Sequence, residues 1–283
     1  MKRSIVQIFA GVSMLFSSDL AFSQTTGQTI NVVTTAVPFL RISPDARAGG
    51  MGDLGIATSP DANSQFYNVA KYAFAEQPSG IGFTYTPWLK DLGLNDVYLA
   101  SLAGYYQLDE DQAISSSLRY FSLGNIQFTD NLGNDLNSFR PREFSFDAGY
   151  SRKLSDVLSL GVALRYINSN LAGGQAVNGV SYKAGNAVSG DIGLYYSSIG
   201  EDGSGLNLGL AMTNLGSKIS YTNDATQKDF IPANLGLGAL YTFTNNEVNQ
   251  LSFGLDIHKL MVPTPPALGD SAGLVNYRTK GIV

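Results

Sequence analysis

Strict two-residue alternation, carried across a tight turn, is the feature that constrains this chain most. In residues 142–169, REFSFDAGYSRKLSDVLSLGVALRYINS, Phe144, Phe146, Ala148 and Tyr150 alternate with Ser145, Asp147, Gly149 and Ser151. After a turn at 154–156, Leu158, Leu160, Val162, Leu164 and Tyr166 alternate with Ser159, Gly161, Ala163 and Arg165. Period two means a strand, and two such limbs make a hairpin. Each limb has about ten residues, enough for a tilted strand to cross a bilayer. One face is apolar and aromatic and the other is small or polar. A soluble antiparallel sheet shows the same pattern, so the hairpin alone does not say which face meets what.

Composition narrows the choice. The chain has 283 residues, 44% hydrophobic and 14% charged, against roughly 25% charged in an average soluble domain. Its mean hydropathy is +0.01, yet no apolar run is long enough for a membrane-spanning helix. The 31 glycines, 15 tyrosines and 15 phenylalanines suit closely packed strands with aromatic girdles, as in an outer-membrane barrel. The absence of cysteine excludes disulfides and thiolate metal sites. A net charge of -5 and a pI near 4.8 argue against nucleic acid as a partner.

The N-terminus indicates a compartment. Lys2 and Arg3 precede an apolar run from 5 to 16, and Ala21, Phe22 and Ser23 precede Gln24. Residues 1–23 therefore read as a signal peptide that is removed, since the apolar run is too short to span. Secretion without cysteine, in a chain of amphipathic strands, points to the outer membrane of a Gram-negative cell.

Residues 24–79 do not alternate. They are rich in Thr, Gly, Asp, Ala and Pro, with Ser-Pro-Asp-Ala at Ser43 and again at Ser59. Within them 61–75 has near-helical apolar spacing, and Ser59 or Asp61 is placed to cap a short helix. Ahead of a barrel, such a segment is expected to plug or line the lumen.

From residue 80 to 260 alternation predicts nine strands, near 80–88, 97–108, 112–123, 142–154, 158–168, 190–198, 206–215, 233–244 and 250–259. Short turns follow the second, fourth and eighth. Long polar connections follow the third, fifth and seventh. That asymmetry distinguishes the periplasmic from the outer end of a barrel, so the first strand is expected to rise from the periplasm and the ninth to end outside. Residues 261–283, with Pro263, Pro265 and Pro266, read as a Pro-rich extracellular loop rather than a tenth strand.

Three motifs mimic catalysis. Gly50-Met51-Gly52-Asp53-Leu54-Gly55 matches a dinucleotide fingerprint but lacks its strand–helix setting; the glycines are expected instead to permit close backbone approach. Gly269-Asp270-Ser271-Ala272-Gly273 matches a nucleophile elbow, yet loop chemistry explains it equally well. His258, the only histidine, shares a strand face with Asp256 and Ser252, but such residues project in parallel and a relay needs a second strand. No enzyme activity, cofactor or metal site is assigned.

Residues 38–76, PFLRISPDARAGGMGDLGIATSPDANSQFYNVAKYAFAE, resemble the N-terminal signature of the PorV family, the outer-membrane components of the type IX secretion system of Bacteroidota, within the wider FadL-like barrel superfamily. The residues that carry the resemblance are Pro44, Asp45, Arg47, Gly49, Gly50, Gly52, Asp61 and Asn68. Val69 departs from it, standing where relatives usually have Pro. The resemblance implies a non-enzymatic shuttle without cofactor. It would receive cargo from the translocon barrel, hold the cargo's C-terminal signal domain at its outer loops, and pass it to a sortase-like attachment protein, in contact with outer-membrane lipid and LPS. The corresponding loops are 124–141, 169–189, 216–231 and 262–283, with Phe128, Phe139 and Tyr221 as candidate anchors. FadL-like uptake of hydrophobic solutes is the alternative, and an acyl hydrolase acting on lipid A or LPS a more distant one.

The fold expected is therefore all-β, a transmembrane antiparallel β-barrel with an N-terminal plug. Nine is an odd count with an open edge, whereas single-chain bacterial barrels close with even numbers. If the closed barrel has about fourteen strands, as the FadL-like resemblance implies and the general range allows, the expectation is a C-terminally truncated copy.

Overall fold

The computed structural model describes residues 33–129, 132–174, 176–177, 180–200, 202–224, 228–244, 249–267 and 269–281. The signal-peptide assignment at 1–23 lies outside them. The chain is all-β, dominated by one antiparallel sheet of nine strands. These are β1 (Ser79–Pro87), β2 (Val97–Gln107), β3 (Gln112–Leu123), β6 (Arg142–Ser155), β7 (Leu158–Asn170), β10 (Gly185–Ile199), β11 (Gly205–Gly216), β12 (Asn234–Thr244) and β13 (Gln250–Leu260). Each pairs with the next, so the sheet is a continuous meander, with β1 and β13 at its edges among the described residues.

The alternation decides the faces, and its sense is inverted relative to a soluble sheet. In β7, Leu164 is 70% exposed while its neighbour Arg165 is 3% exposed. Ser145, Asp147, Ser151, Ser159 and Ala163 are buried, whereas Phe146, Leu160, Val162 and Tyr166 are exposed. The same holds for β3, where Ile114 and Leu118 face out and Ser115, Ser117 and Arg119 face in. Exposed rows of Leu, Ile, Phe and Tyr across nine strands are costly in water at about 25 cal/mol per Å² and favourable in hydrocarbon. Among the described residues no helix is long and apolar enough to cross a membrane.

Several boundaries differ from the alternation reading. β10 starts five residues before the expected 190, because Ala187 and Ser189 face in while Val188 faces out, continuing the pattern into what looked like loop. The long connections carry small hairpins, β4 (Ile126–Thr129) with β5 (Asp135–Phe139), and β8 (Ala176–Val177) with β9 (Val180–Ser181). Two further corrections concern helices. The stretch 61–75 is not one helix but two 3-10 turns, Ser64–Phe66 and Val69–Phe74, because Asn68 between them is extended and turns its side chain to accept from the Ala70 N–H. The tail read as an extended Pro-rich loop contains helix α2 (Ser271–Thr279), with Asp270 accepting from the Gly273 N–H at 2.8 Å. The earlier helix, α1 (Ala46–Gly50), is capped by Asp45.

Candidate functional site

Two regions concentrate side chains that the strand pattern alone does not require: the polar face of the sheet with the segment laid on it, and the end where the long connections gather.

Residues 33–77 lie against the polar face. Asn68 fixes their centre, donating from Nδ2 to the carbonyls of Ile56 (3.2 Å) and Leu194 (2.9 Å) while its Oδ1 accepts from Ala70 N–H (3.2 Å). Around it, Ser159 donates to the Ala70 carbonyl at 2.7 Å and Ser115 to Gln65 Oε1 at 2.5 Å. Asp256 of β13 accepts from the Gly55 and Ile56 N–H groups at 2.8 and 3.0 Å. Gln107 donates to the Ala75 carbonyl at 2.7 Å, and Tyr72 stacks on Tyr105 with ring centroids 4.8 Å apart. Irregular backbone needs partners for its polar groups when buried. Here Ser159, Asp256 and Gln107 of the wall supply them, together with Asn68 of the segment itself.

The wall also makes room. A Cβ on Gly161 would lie 2.5 Å from Ala70 N, one on Gly193 2.2 Å from Asn68 Oδ1, and one on Gly209 2.4 Å from the Ile56 carbonyl. Gly161 and Gly193 are direct cross-strand partners. Of the glycines in the 50–55 motif, Gly55 makes the expected close approach, since a Cβ there would lie 2.2 Å from the Tyr67 ring, while the contact with the sheet is made by the wall glycines. Nothing lies within 4 Å of a Cβ placed on Gly49, Gly50 or Gly52, and Gly52 is required for its φ of +73°. Alternate-position glycines on the polar face of consecutive strands were the sequence signal for this contact.

The other signature residues build the segment itself. Asp45 is buried and accepts from Ala48 N–H at 2.6 Å. Arg47 pairs with Asp61 at 2.6 Å and donates to Ser59 Oγ at 2.6 Å, so the two Ser-Pro-Asp-Ala repeats are joined at an exposed edge. Pro44 borders a polar cavity between the segment and the sheet. Val69 is the first residue of its 3-10 turn, a position where Pro also fits because its N–H is not needed.

Beneath the segment lies a buried ionic network that the sequence reading did not single out. Arg165 of β7 bridges Asp147 of β6 and Asp191 of β10, bonding Asp147 through Nε and Asp191 through Nη1 (3.2 Å) and Nη2 (2.8 Å). It also donates to Asn214 Oδ1, and Asn214 N–H donates to Asp191 Oδ1 at 2.7 Å. Ser117 completes Asp147 at 2.6 Å. Lys71 is buried as well, its Nζ donating to the Gly55 carbonyl and Thr58 Oγ1 at 2.9 Å each, and burial pulls its pKa down to about 8.

Ser252, Asp256 and His258 do not join in a relay. Asp256 is engaged by Gly55 and Ile56, Ser252 Oγ is 3.0 Å from Thr242 Oγ1, and His258 Nδ1 is 3.1 Å from Asn234 Nδ2. The three candidate triad residues thus have separate partners. The 269–273 motif is the N-terminus of α2, not a strand-to-helix elbow, and the 50–55 motif begins at the last residue of α1 with no strand before it among the described residues.

At the long-loop end the interior turns apolar. Val37, Phe39 and Leu40 pack with Leu99, Phe121, Ile167, Ala187, Ile219 and Ile231 in one buried cluster. Above it, a cavity of about 420 Å³ is lined by residues that include Val37, Leu171, Tyr221, Phe230, Leu274 and Tyr277. Helix α2 closes one side, with Lys218 Nζ donating to the Arg278 and Lys280 carbonyls at 2.6 Å and Tyr277 set edge-on to Phe230. Of the three candidate anchors, Tyr221 is turned inward, its hydroxyl bonded to Ser169 Oγ at 2.9 Å and its pKa pushed up to about 12 by burial. Phe139 packs over Gly173 of the neighbouring connection, and Phe128 is half-buried in the β4–β5 hairpin.

Comparison with known proteins gives the following. The family model described as type IX secretion system protein PorV matches residues 24–267. A search of curated proteins returned no match. Among solved structures, a TodX deltaS2S3 mutant monoaromatic hydrocarbon channel aligns at 10% identity and TM-score 0.42, covering 76% of this chain and 83% of that one.

Proposed function

The chain belongs to the type IX secretion system protein PorV family, and we propose that within that system it is an outer-membrane carrier of secreted proteins. It holds the C-terminal signal domain of a cargo protein at its long-loop end and passes the cargo from the translocon barrel to a sortase-like attachment protein at the cell surface. The family match over residues 24–267 carries this reading.

Three features of the molecule support it. The apolar outward face of the sheet suits lipid contact. Residues 33–77 fill the polar face, which suits a plugged scaffold rather than an open pore. The long connections present small hairpins, whose edges can pair with an extended segment, beside the apolar cavity under α2. The role asks for docking and release, with no bond broken. The mature chain, after removal of residues 1–23, would reside in the outer membrane.

The test is a pull-down with an immobilised C-terminal signal domain of a secreted protein. The chain in detergent should be retained, and deletion of 124–141 should abolish retention. Undiminished retention after that deletion removes the β4–β5 hairpin from the docking surface; no retention of the intact chain contradicts the carrier reading itself.

A further inference from the structure

Arg119 of β3 is 1% exposed, yet among the described residues no carboxylate lies within ion-pair distance of it. Its Nη1 donates to the Leu40 carbonyl at 3.0 Å and its guanidinium sits 4.9 Å from the centre of the Phe66 ring. Nε is buried with no acceptor. A guanidinium offers five N–H donors and remains charged in a protein. Leaving it buried with one carbonyl and one aromatic face is costly, because a buried donor without a partner forfeits about 1–3 kcal/mol, more when charged.

The same side chain lines a polar cavity of about 220 Å³ between the N-terminal segment and the sheet. On the segment side are Arg41, Ser43, Asp53 and Tyr67; on the sheet side are Thr213, Asn234 and His258. Ser43 Oγ and Tyr67 OH, 2.6 Å apart, use one hydroxyl hydrogen on each other and leave the second free, while Asn234 engages His258 through Nδ2 and leaves its buried Oδ1 without a partner. The charges bordering the cavity are Arg119 and Arg41 against Asp53, a cationic balance. Behind Arg119, the Asp147–Arg165–Asp191 network satisfies its own members by direct contact and leaves Arg119 Nε without an acceptor. A volume of this size takes about seven waters at roughly 30 Å³ each, or one small oxyanion with a few of them.

We propose that this cavity is a binding site for a small oxyanion, a carboxylate or phosphate group, held by Arg119 and covered by residues 40–44. Such a group accepts charge-assisted hydrogen bonds from a guanidinium, roughly twice as strong as neutral ones. Because the ligand contacts both the segment and β3, its occupancy also fastens the segment to the wall. The inference is independent of the cargo-carrier reading, since it concerns an interior site and no docking loop.

The experiment uses the full chain in detergent micelles at constant ionic strength, titrated with sodium acetate and separately with sodium phosphate, read by calorimetry. Saturable heat is expected with at least one of them. Acetate alone assigns the carboxylate class, phosphate alone the phosphate class, and both the shared oxyanion chemistry. Arg119→Gln should lose the heat. Because that variant removes a buried charge and can compromise folding, Asn234→Asp, which adds a negative wall, serves as the second variant. It should weaken binding by about tenfold or more, a difference of about 1.4 kcal/mol. No saturable heat with either anion, or unchanged affinity in Asn234→Asp, overturns the proposal and leaves a water-filled cavity.

Discussion

Asn68 donates to the carbonyl of Leu194 across 2.9 Å, joining the centre of the N-terminal segment to the middle of a strand 126 residues later. The same amide serves Ile56 and Ala70. One side chain thus satisfies three backbone groups that no sheet ladder reaches.

Replacing Asn68 by Ala should therefore loosen the segment without disturbing the strands. With buried backbone partners left open at about 1–3 kcal/mol each, the loss in stability should be about 2 kcal/mol or more. Limited proteolysis is expected to cut within 33–77 in the variant while leaving the sheet core intact.

Gly161→Ala attacks the same contact from the wall. Its Cβ would sit 2.5 Å from Ala70 N, against backbone that cannot rotate away. Overpacking of this kind costs about 1–3 kcal/mol. Leu164→Ala, three residues on and facing out, should leave proteolysis of the segment unchanged.

The ionic network makes a sharper prediction. Arg165→Met leaves Asp147 and Asp191 buried without their cation, and breaking a buried pair in this way costs about 3–5 kcal/mol. The urea midpoint should fall accordingly. Asp147→Asn with Asp191→Asn in the Arg165→Met background should recover part of the loss, because no uncompensated charge then remains.

Lys71 makes stability depend on pH. Burial lowers its pKa to about 8, against about 10.4 in an unfolded chain. Between those values the unfolded chain binds more protons than the folded one, so stability rises with pH through that window. The upper limit is near pH 10, where tyrosine ionises in the unfolded chain while Tyr67 and Tyr72 resist it because burial raises their pKa. The urea midpoint should climb from pH 7.5 to about pH 9.5 in the wild type, and Lys71→Met should flatten that climb.

All nine sheet strands were legible because period-two alternation survives wherever one face meets a different solvent from the other. What alternation could not show was cooperation between positions far apart. Arg165 reads as one more polar residue in LSLGVALRYINS, and only the register of β6, β7 and β10 sets it between Asp147 and Asp191. The turns at 64–74 were misread as a helix because apolar spacing does not reveal that Asn68 spends its side chain on its own backbone and interrupts the helical ladder. Helix α2 was missed because its residues, SAGLVNYRT, bury no apolar stripe. Only Asp270, three residues before Gly273, marked its start. The motif glycines drew attention to the segment, where Gly55 packs on Tyr67, whereas Gly161, Gly193 and Gly209, which make the contact from the wall, are scattered over three strands.

The polar face of the sheet is its inside and the apolar face meets lipid. The chain has no cysteine, so single substitutions can carry a fluorophore without a background. Leu164→Cys and Ala163→Cys, adjacent in β7 and on opposite faces, should be labelled and reconstituted into vesicles containing brominated lipid. Strong quenching is expected at 164 and little at 163. Equal quenching at both positions, or stronger quenching at 163, would contradict it.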